Sequence, residues 1–309
     1  MKLSIVTTLY QSASSLVEFH RRVSIVAEQL AEDDYEIVLV NDGSPDDGLE
    51  IAVGFTETDP HVVVVDLSRN FGHHKAMMSG LEHSIGDQVF LLDSDLEEDP
   101  EWLIEFSQYL IRGDSDVVYG VQKSRKGGCF ERWSGEIFYT FFNWLSDLDH
   151  PRNIVTARLM SRRYVNALLK HQEREIVISC LWLITGFKQT EVVIEKHRLS
   201  RSSYSMGKKV SLAINGITSF CEKPLIIIFY IGFWIFLLSL VYTGFLVINK
   251  LIFSQAVDGW TSVMASIWLL GGMVISFIGV IGIYLSKIFL EIKQRPLVIV
   301  RKIYSGREL

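Results

Sequence analysis

Phe90-Leu91-Leu92-Asp93-Ser94-Asp95-Leu96-Glu97-Glu98-Asp99-Pro100 sets an apolar run directly against five acids. Val89 to Leu92 reads as a strand buried on both faces, because it carries no polar alternation. Charge at the carboxyl end of a buried strand is where open α/β sheets place their ligands. Asp93 and Asp95 stand two residues apart, so in a turn both carboxylates can converge on one hard divalent cation. Such a cation could then hold a pyrophosphate. Glu98 and Asp99 read as the solvated cap of the helix that Pro100 opens.

Working outward, the first 120 residues alternate strand and helix signals. Leu3 to Thr8, Tyr35 to Val40, Val62 to Leu67 and Val117 to Val121 are short apolar strands. Between the first two, a capping box from Ser15 to Glu18 precedes Leu16, Phe19, Val23, Ala27 and Leu30 at helical spacing. Ala76 to Ile85 is a second helix, and the helix from Pro100 buries Trp102, Leu103, Phe106 and Leu110. This alternation predicts a mostly parallel sheet covered by helices on both faces. The polar turns after the strands, Thr7-Thr8, Asn41-Asp42-Gly43, Arg69-Asn70 and Asp93-Ser94-Asp95, then share one rim. No Gly-x-Gly-x-x-Gly follows the first strand and no Gly-Lys-Ser/Thr loop is present, which disfavours a dinucleotide-dependent dehydrogenase and a P-loop NTPase. His73 and His74 read as a helix start rather than a metal site, since no third ligand is in view.

The 309 residues are 49% hydrophobic yet 21% charged, and the apolar residues explain this by clustering. Pro224 to Asn249 and Gly259 to Ser286, 26 and 28 residues, contain no Asp, Glu, Lys or Arg, and about 20 residues suffice to cross a bilayer as a helix. Two transmembrane helices are expected. No secretory signal is read at Met1 to Tyr10. Lys208, Lys209 and Lys223 precede the first run and Lys287, Lys293, Arg295, Arg301 and Lys302 follow the second, so the positive-inside bias places the head and both termini in the cytoplasm of a multi-pass protein of the plasma (inner) membrane. Cys129, Cys180 and Cys221 read as reduced packing residues. A net charge of -6 argues against nucleic acid as a partner. Lys196 to Cys221 lacks acids, and its Lys196, Arg198, Arg201, Lys208 and Lys209 read as a juxtamembrane collar attracted to anionic lipids. Trp133, Ile137, Phe141, Trp144 and Leu148 fall at helical spacing within 130–148; that apolar face suits either the lipid interface or the head's own core.

The ordered words Asn41-Asp42-Gly43-Ser44, Ser68-Arg69-Asn70-Phe71-Gly72-His73, Gly80 and Asp93-Ser94-Asp95-Leu96, followed by Arg158-Leu159-Met160 and two spans, resemble glycosyltransferase family 2. Within it, the membrane-anchored dolichol- and polyprenyl-phosphate sugar transferases, bactoprenol glucosyltransferases among them, are most similar. The resemblance implies a GT-A type α/β catalytic domain over 1–195, a basic juxtamembrane segment over 196–222, a transmembrane hairpin over 223–288 and a cytosolic tail over 289–309. It implies inverting transfer of a sugar from a nucleotide sugar to polyprenyl (undecaprenyl) phosphate, with a different lipid-linked or envelope acceptor, or a non-catalytic sugar-nucleotide-binding scaffold, as the alternatives.

By the same resemblance Asp93 and Asp95 are the catalytic acids and, with Glu97, hold Mg or Mn. Thr8, Tyr10, Asp42 and Arg69 bind substrate on the rim, as do Lys123, Arg125 and Arg158. Arg201, Ser202 and Tyr204 grip the acceptor phosphate. This chain has Thr156 where the branch commonly carries an Asp before Arg-Leu, the family's proposed general base. Either the acceptor is a phosphate, already anionic because its second pKa is about 6, or a base lies elsewhere, at Asp147 or Asp149. The tail strand Pro296 to Ile303 is expected to pair with a neighbouring chain and assemble a homo-oligomer.

Overall fold

The computed structural model describes residues 2–113, 115–122, 153–196, 223–253 and 259–306. These fall into two compact units, one built from the residues up to 196 together with 295–306, the other from 223–253 and 259–294.

The first unit is a single eight-stranded sheet. Its strands are β1 (Leu3–Leu9), β2 (Tyr35–Asn41), β3 (Val62–Leu67), β4 (Gln88–Leu91), β5 (Val117–Gln122), β6 (Ile154–Ser161), β7 (Gln189–Ile194) and β8 (Val300–Ser305), in the spatial order β7-β5-β6-β4-β1-β2-β3-β8. The pairs β1–β2, β1–β4, β2–β3 and β5–β7 are parallel. β6 runs antiparallel between β4 and β5, and β8 runs antiparallel along β3. The five strands expected from the apolar runs of the first 121 residues are all present, shifted at their ends by at most one residue.

Side-chain alternation divides each central strand between two helical layers. Leu3, Ile5, Leu9, Ile37, Leu39 and Phe90 join the core under α1 (Ala13–Ala31) and α4 (Trp102–Ile111), whose Leu16, Phe19, Leu103 and Phe106 are buried with them. On the other face α3 (His73–His83) lies so close that a Cβ on Gly80 would stand 2.5 Å from Val6 Cγ1 and 2.9 Å from Val40 Cγ2. A glycine is required there because the helix axis rests on the valines. The remaining helices of this unit are α2 (Gly48–Thr58), α5 (Arg162–Leu168) and α6 (Ile178–Ile184).

One local expectation is corrected. α1 starts at Ala13 with Ser12 as N-cap and no side-chain cap, and the Ser15 hydroxyl bonds Ser12 O and Ser94 O. Glu18 pairs with Arg21 at 2.7 Å instead of reaching back to the helix start, so no capping box forms. The tail strand, expected to pair with a neighbouring chain, is paired along one side within its own chain. β8 pairs with β3 of its own chain, where Arg301 Nη1 lies 3.2 Å from the buried Asp66 carboxylate. That pairing covers the sheet edge offered to it.

The second unit contains α7 (Lys223–Phe253) and α8 (Trp260–Ile292). Within α8, Leu270–Ile292 is long and apolar enough to cross a membrane, with a mean hydropathy of 2.1. In α7 the apolar stretch Lys223–Ile235 is shorter. Among the described residues one of the two expected spans therefore meets that standard. The 130–148 segment, Asp147, Asp149, Cys129 and Cys221 lie outside the described residues.

Candidate active site

Register alone brings the site together. β1, β2 and β4 are parallel, so Thr8, Asp42 and Asp93 arrive at one rim of the sheet. β6 runs the other way beside β4 and pairs Leu91 with Arg158; two further steps set Thr156 opposite Asp93. β7 runs parallel to β5 and ends at Ile194, so the chain leaves the same rim through Glu195 and Lys196.

The acidic turn is wired into this rim. Ser94 Oγ donates to Thr8 O at 2.9 Å, and Ser94 O accepts the Ser15 hydroxyl at 2.8 Å. The amide of Glu97 donates to Asp95 Oδ1 at 3.0 Å, closing a tight turn in which Leu96 adopts a positive φ of 59°. Asp95 is left exposed while Glu98 is swept inward and fully buried. Glu98 is thus not the solvated helix cap expected of it. Asp99 keeps a place at the start of that helix, its carbonyl accepting the Trp102 amide at 3.2 Å, and it also forms an ion pair with Arg22 at 2.7 Å.

Thr156 bridges the two inner carboxylates. Its hydroxyl donates to Asp93 Oδ2 at 3.0 Å and its amide to Glu98 Oε1 at 3.0 Å. Glu98 Oε2 and Asp93 Oδ1 are buried without a hydrogen bond among the described residues, the latter 3.3 Å from His73 Nε2. The other ring nitrogen of His73 meets Thr8 Oγ1 at 2.9 Å. Lys196 Nζ stands 3.4 Å from Glu97 Oε2 and 3.5 Å from Glu98 Oε1.

These charges set one another's protonation. Burial works to raise the Asp93 pKa, but His73, Lys196 and the Thr156 hydroxyl outweigh it and hold the carboxylate below its ordinary value. At Glu98 the Thr156 amide and Lys196 also favour the charged form, but they are outweighed. Burial first, and the charge of Asp93 next, push its pKa up to about 7. For Lys196, burial opposes the charge, yet attraction from Glu98, Asp93, Asp95 and Glu97 keeps its pKa raised. His73 is raised likewise, with burial outweighed by Asp93. A cavity of about 300 Å³ opens beside the cluster, lined by His73, Glu98, Thr156, Trp182 and Lys196 among others, at the small end of ligand-cavity sizes.

The other predicted residues fall into three groups. Thr8 is in the cluster. Asp42 is buried, and its two oxygens accept the amides of Phe71 at 2.7 Å and Gly72 at 3.0 Å, which ties the loop after β3 to the rim. In that loop Arg69 is exposed, its guanidinium 4.2 Å over the Phe71 ring; Tyr10 is 51% exposed at the end of β1. Arg158 is 1% exposed and stacks 2.9 Å from the Trp182 ring centre, with Nε donating to Thr156 O at 3.3 Å. In this arrangement it backs the Thr156 strand from beneath and does not face solvent. Burial lowers its pKa to about 9. Lys123, Arg125, Arg201, Ser202 and Tyr204 lie outside the described residues.

Sequence reasoning missed Glu98, His73 and Lys196 as members of the cluster. Lys196 had been placed in the lipid-facing collar, yet it closes the acidic turn. One signal was available: Lys196 follows a strand whose end lies on the acid-bearing rim.

Residues 4–169 match the model of the family described as Glycosyl transferase family 2. A Mycobacterium tuberculosis protein bearing a glycosyltransferase name is 47% identical over 99% of this chain and 89% of its own length. The SfII prophage-derived bactoprenol glucosyl transferase of Shigella flexneri is 34% identical over 99% of both chains. Among solved structures, glucosyl-3-phosphoglycerate synthase from Mycobacterium tuberculosis in complex with UDP superposes with a TM-score of 0.48 at 16% identity, covering 71% of this chain and 78% of that one.

Proposed function

Because this chain belongs to glycosyl transferase family 2 and is a glycosyltransferase, we propose that it moves a sugar from a nucleotide sugar to polyprenyl phosphate at the cytoplasmic face of a membrane. The observation that carries this reading is the convergence of Asp93, Glu98, Thr156, His73 and Lys196 on one rim beside a cavity. The full-length similarity to a bactoprenol glucosyl transferase supports the acceptor class.

In this reading the acceptor phosphate oxygen attacks the anomeric carbon from the face opposite the leaving group. The bond from that carbon to the diphosphate breaks, with inversion, and the nucleoside diphosphate departs with the electron pair. Thr8, Tyr10, Asp42 and Arg69 serve the donor, Asp42 by fixing the loop that carries Arg69. Arg201, Ser202 and Tyr204, with Lys123 and Arg125, serve the acceptor, and Arg158 supports the strand that presents Thr156. Thr156 holds the Asp93 carboxylate and takes no proton. A phosphate monoester with a second pKa of about 6 is already anionic at neutral pH, so this acceptor fits a chain that lacks the family's Asp at this position.

No three His, Cys, Asp or Glu side chains among the described residues are grouped to hold a metal ion, so a divalent cation enters the proposal only through the oxygen-donor chemistry of the turn. Among the described residues the buried Glu98 Oε2 has no hydrogen bond, Asp93 Oδ1 stands 3.3 Å from His73 Nε2, and Asp95 is exposed in the same turn. Asp93 and Asp95, with Glu97, would hold Mg or Mn, which when bound supplies charge neutralisation for the departing diphosphate.

Membrane attachment through a two-helix hairpin, with the head and both termini in the cytoplasm, belongs to the same proposal. Leu270–Ile292 and the apolar start of α7 support it, as do the lysines and arginines flanking the two runs. The test is incubation of the purified chain with labelled nucleotide sugars, Mg or Mn, and undecaprenyl phosphate. Chloroform-extractable label that disappears in Asp95→Ala is the expected result. Label that stays in water or enters glycan would overturn the acceptor, and full turnover by Asp95→Ala would overturn the site.

A further inference from the structure

We propose that Arg301 is a positioning residue of the donor site, holding the loop 68–72 in place from the strand that follows α8 in sequence. This rests on the reading in which Arg69, carried by that loop, serves the nucleotide sugar.

The loop after β3 is tied at both ends. At its far end Asp42 accepts the amides of Phe71 and Gly72. At its near end the Ser68 amide donates to Ile299 O at 2.8 Å, and Ser68 O accepts Arg301 Nη2 at 2.7 Å. Both backbone groups of the residue before Arg69 are thus taken up by the stretch around β8. On the β2 side the loop meets a wall. A Cβ on Gly43, whose φ is 60°, would stand 2.6 Å from Asn70 N and 2.7 Å from Arg69 C. β2 and β8 flank β3 in the sheet, so the turn after β2 blocks one direction of movement and Arg301 restrains the other.

The second arm of the guanidinium reaches a buried chain of groups. Arg301 Nη1 lies 3.2 Å from Asp66 Oδ2, and Asp66 is 1% exposed. Asp66 Oδ1 accepts Asn41 Nδ2 at 2.8 Å, Asn41 Oδ1 accepts the Ser44 amide at 3.1 Å, and Ser44 Oγ accepts the Gln11 amide at 2.7 Å. One side chain on β8 is therefore joined to the turns after β1, β2 and β3. A guanidinium can serve Ser68 O and Asp66 together because its donors stand in a rigid planar fork, whereas an ammonium is a point charge on a flexible stem.

That difference supplies the test. The full chain in detergent is assayed with undecaprenyl phosphate and labelled UDP-glucose, UDP-galactose, UDP-N-acetylglucosamine or GDP-mannose, and KM for the donor that turns over is separated from kcat. Arg301→Gln and Arg301→Lys are expected to raise donor KM about tenfold, with kcat and the KM for undecaprenyl phosphate within about twofold of the unaltered chain. Arg301→Gln also leaves the buried Asp66 without its counter-charge and costs stability. Arg301→Lys keeps that charge and is expected to unfold in urea at the midpoint of the unaltered chain while still shifting donor KM, which a purely structural ion pair would not do.

Arg301→Lys with an unaltered donor KM, or with a fall in kcat as large as the rise in KM, overturns the inference. Arg69→Ala separates the two readings. If it raises donor KM and Arg301→Lys does not, the positioning role of Arg301 falls alone. If Arg69→Ala leaves donor KM unchanged, the donor reading of the loop falls and takes this role with it.

Discussion

Replacing Glu98 by Gln isolates the most perturbed carboxyl of the rim. The substitution keeps shape and one acceptor oxygen for the Thr156 amide, and it removes the charge. Unfolded, a glutamate titrates near 4.5; folded, Glu98 titrates at about 7. Between those values the folded chain keeps a proton that the unfolded chain has released. The stability associated with the neutral form is therefore complete below about pH 4.5 and is lost as the pH rises through 7. At 1.36 kcal/mol per pKa unit the loss is about 3 kcal/mol. Asp93 does not mask it, because its pKa is lowered from 3.8 and it stays ionised from pH 5 upward. The assay is thermal unfolding of the full chain in detergent with chelator at pH 5 and pH 8. Between those two conditions Glu98→Gln should gain on the unaltered chain by about 3 kcal/mol, or about 6 to 12 °C for a head of this size. Curves that run parallel, within about 1 kcal/mol, would refute the claim that Glu98 is buried beside a fixed negative charge.

Four further outcomes follow from named contacts. Thr156→Val removes the hydroxyl that donates to Asp93 and should cost about 1.5–3 kcal/mol in urea unfolding, the range for a hydrogen bond to a charged group. Gly80→Ala drives a methyl into Val6 and Val40 and should cost about 1–3 kcal/mol by the same measurement. Asp42→Asn leaves one acceptor oxygen for the Phe71 and Gly72 amides, so trypsin should cut after Arg69 faster than in the unaltered chain. Truncation before Pro296 uncovers the β3 edge, and light scattering should show more association, the opposite of what a tail-mediated oligomer would give.

The parallel strands and the acidic turn were legible because their causes are local: an unbroken apolar run is a buried strand, and a run that stops in charge marks its end. The boundaries at Leu3, Tyr35 and Val62 follow from that. What could not be read is whatever depends on β6 entering between β4 and β5. Only that antiparallel neighbour brings Thr156 to Asp93 and buries Glu98 beneath them. Glu98 looked like a solvated cap because its neighbours in sequence are acids, whereas its burial is decided by residues 58 positions away. Lys196 was misread for the same reason: the basic stripe behind it set its apparent character, and the sheet rim set its real one.

β8 returns to the sheet that β1 begins, although α7 and α8 lie between them in sequence. The sheet thereby imposes a parity rule on the intervening chain. A chain that leaves a domain and rejoins it must finish on the side from which it set out. In the proposed reading, with Leu270–Ile292 in a bilayer, the two-helix hairpin satisfies that rule because it makes an even number of passages.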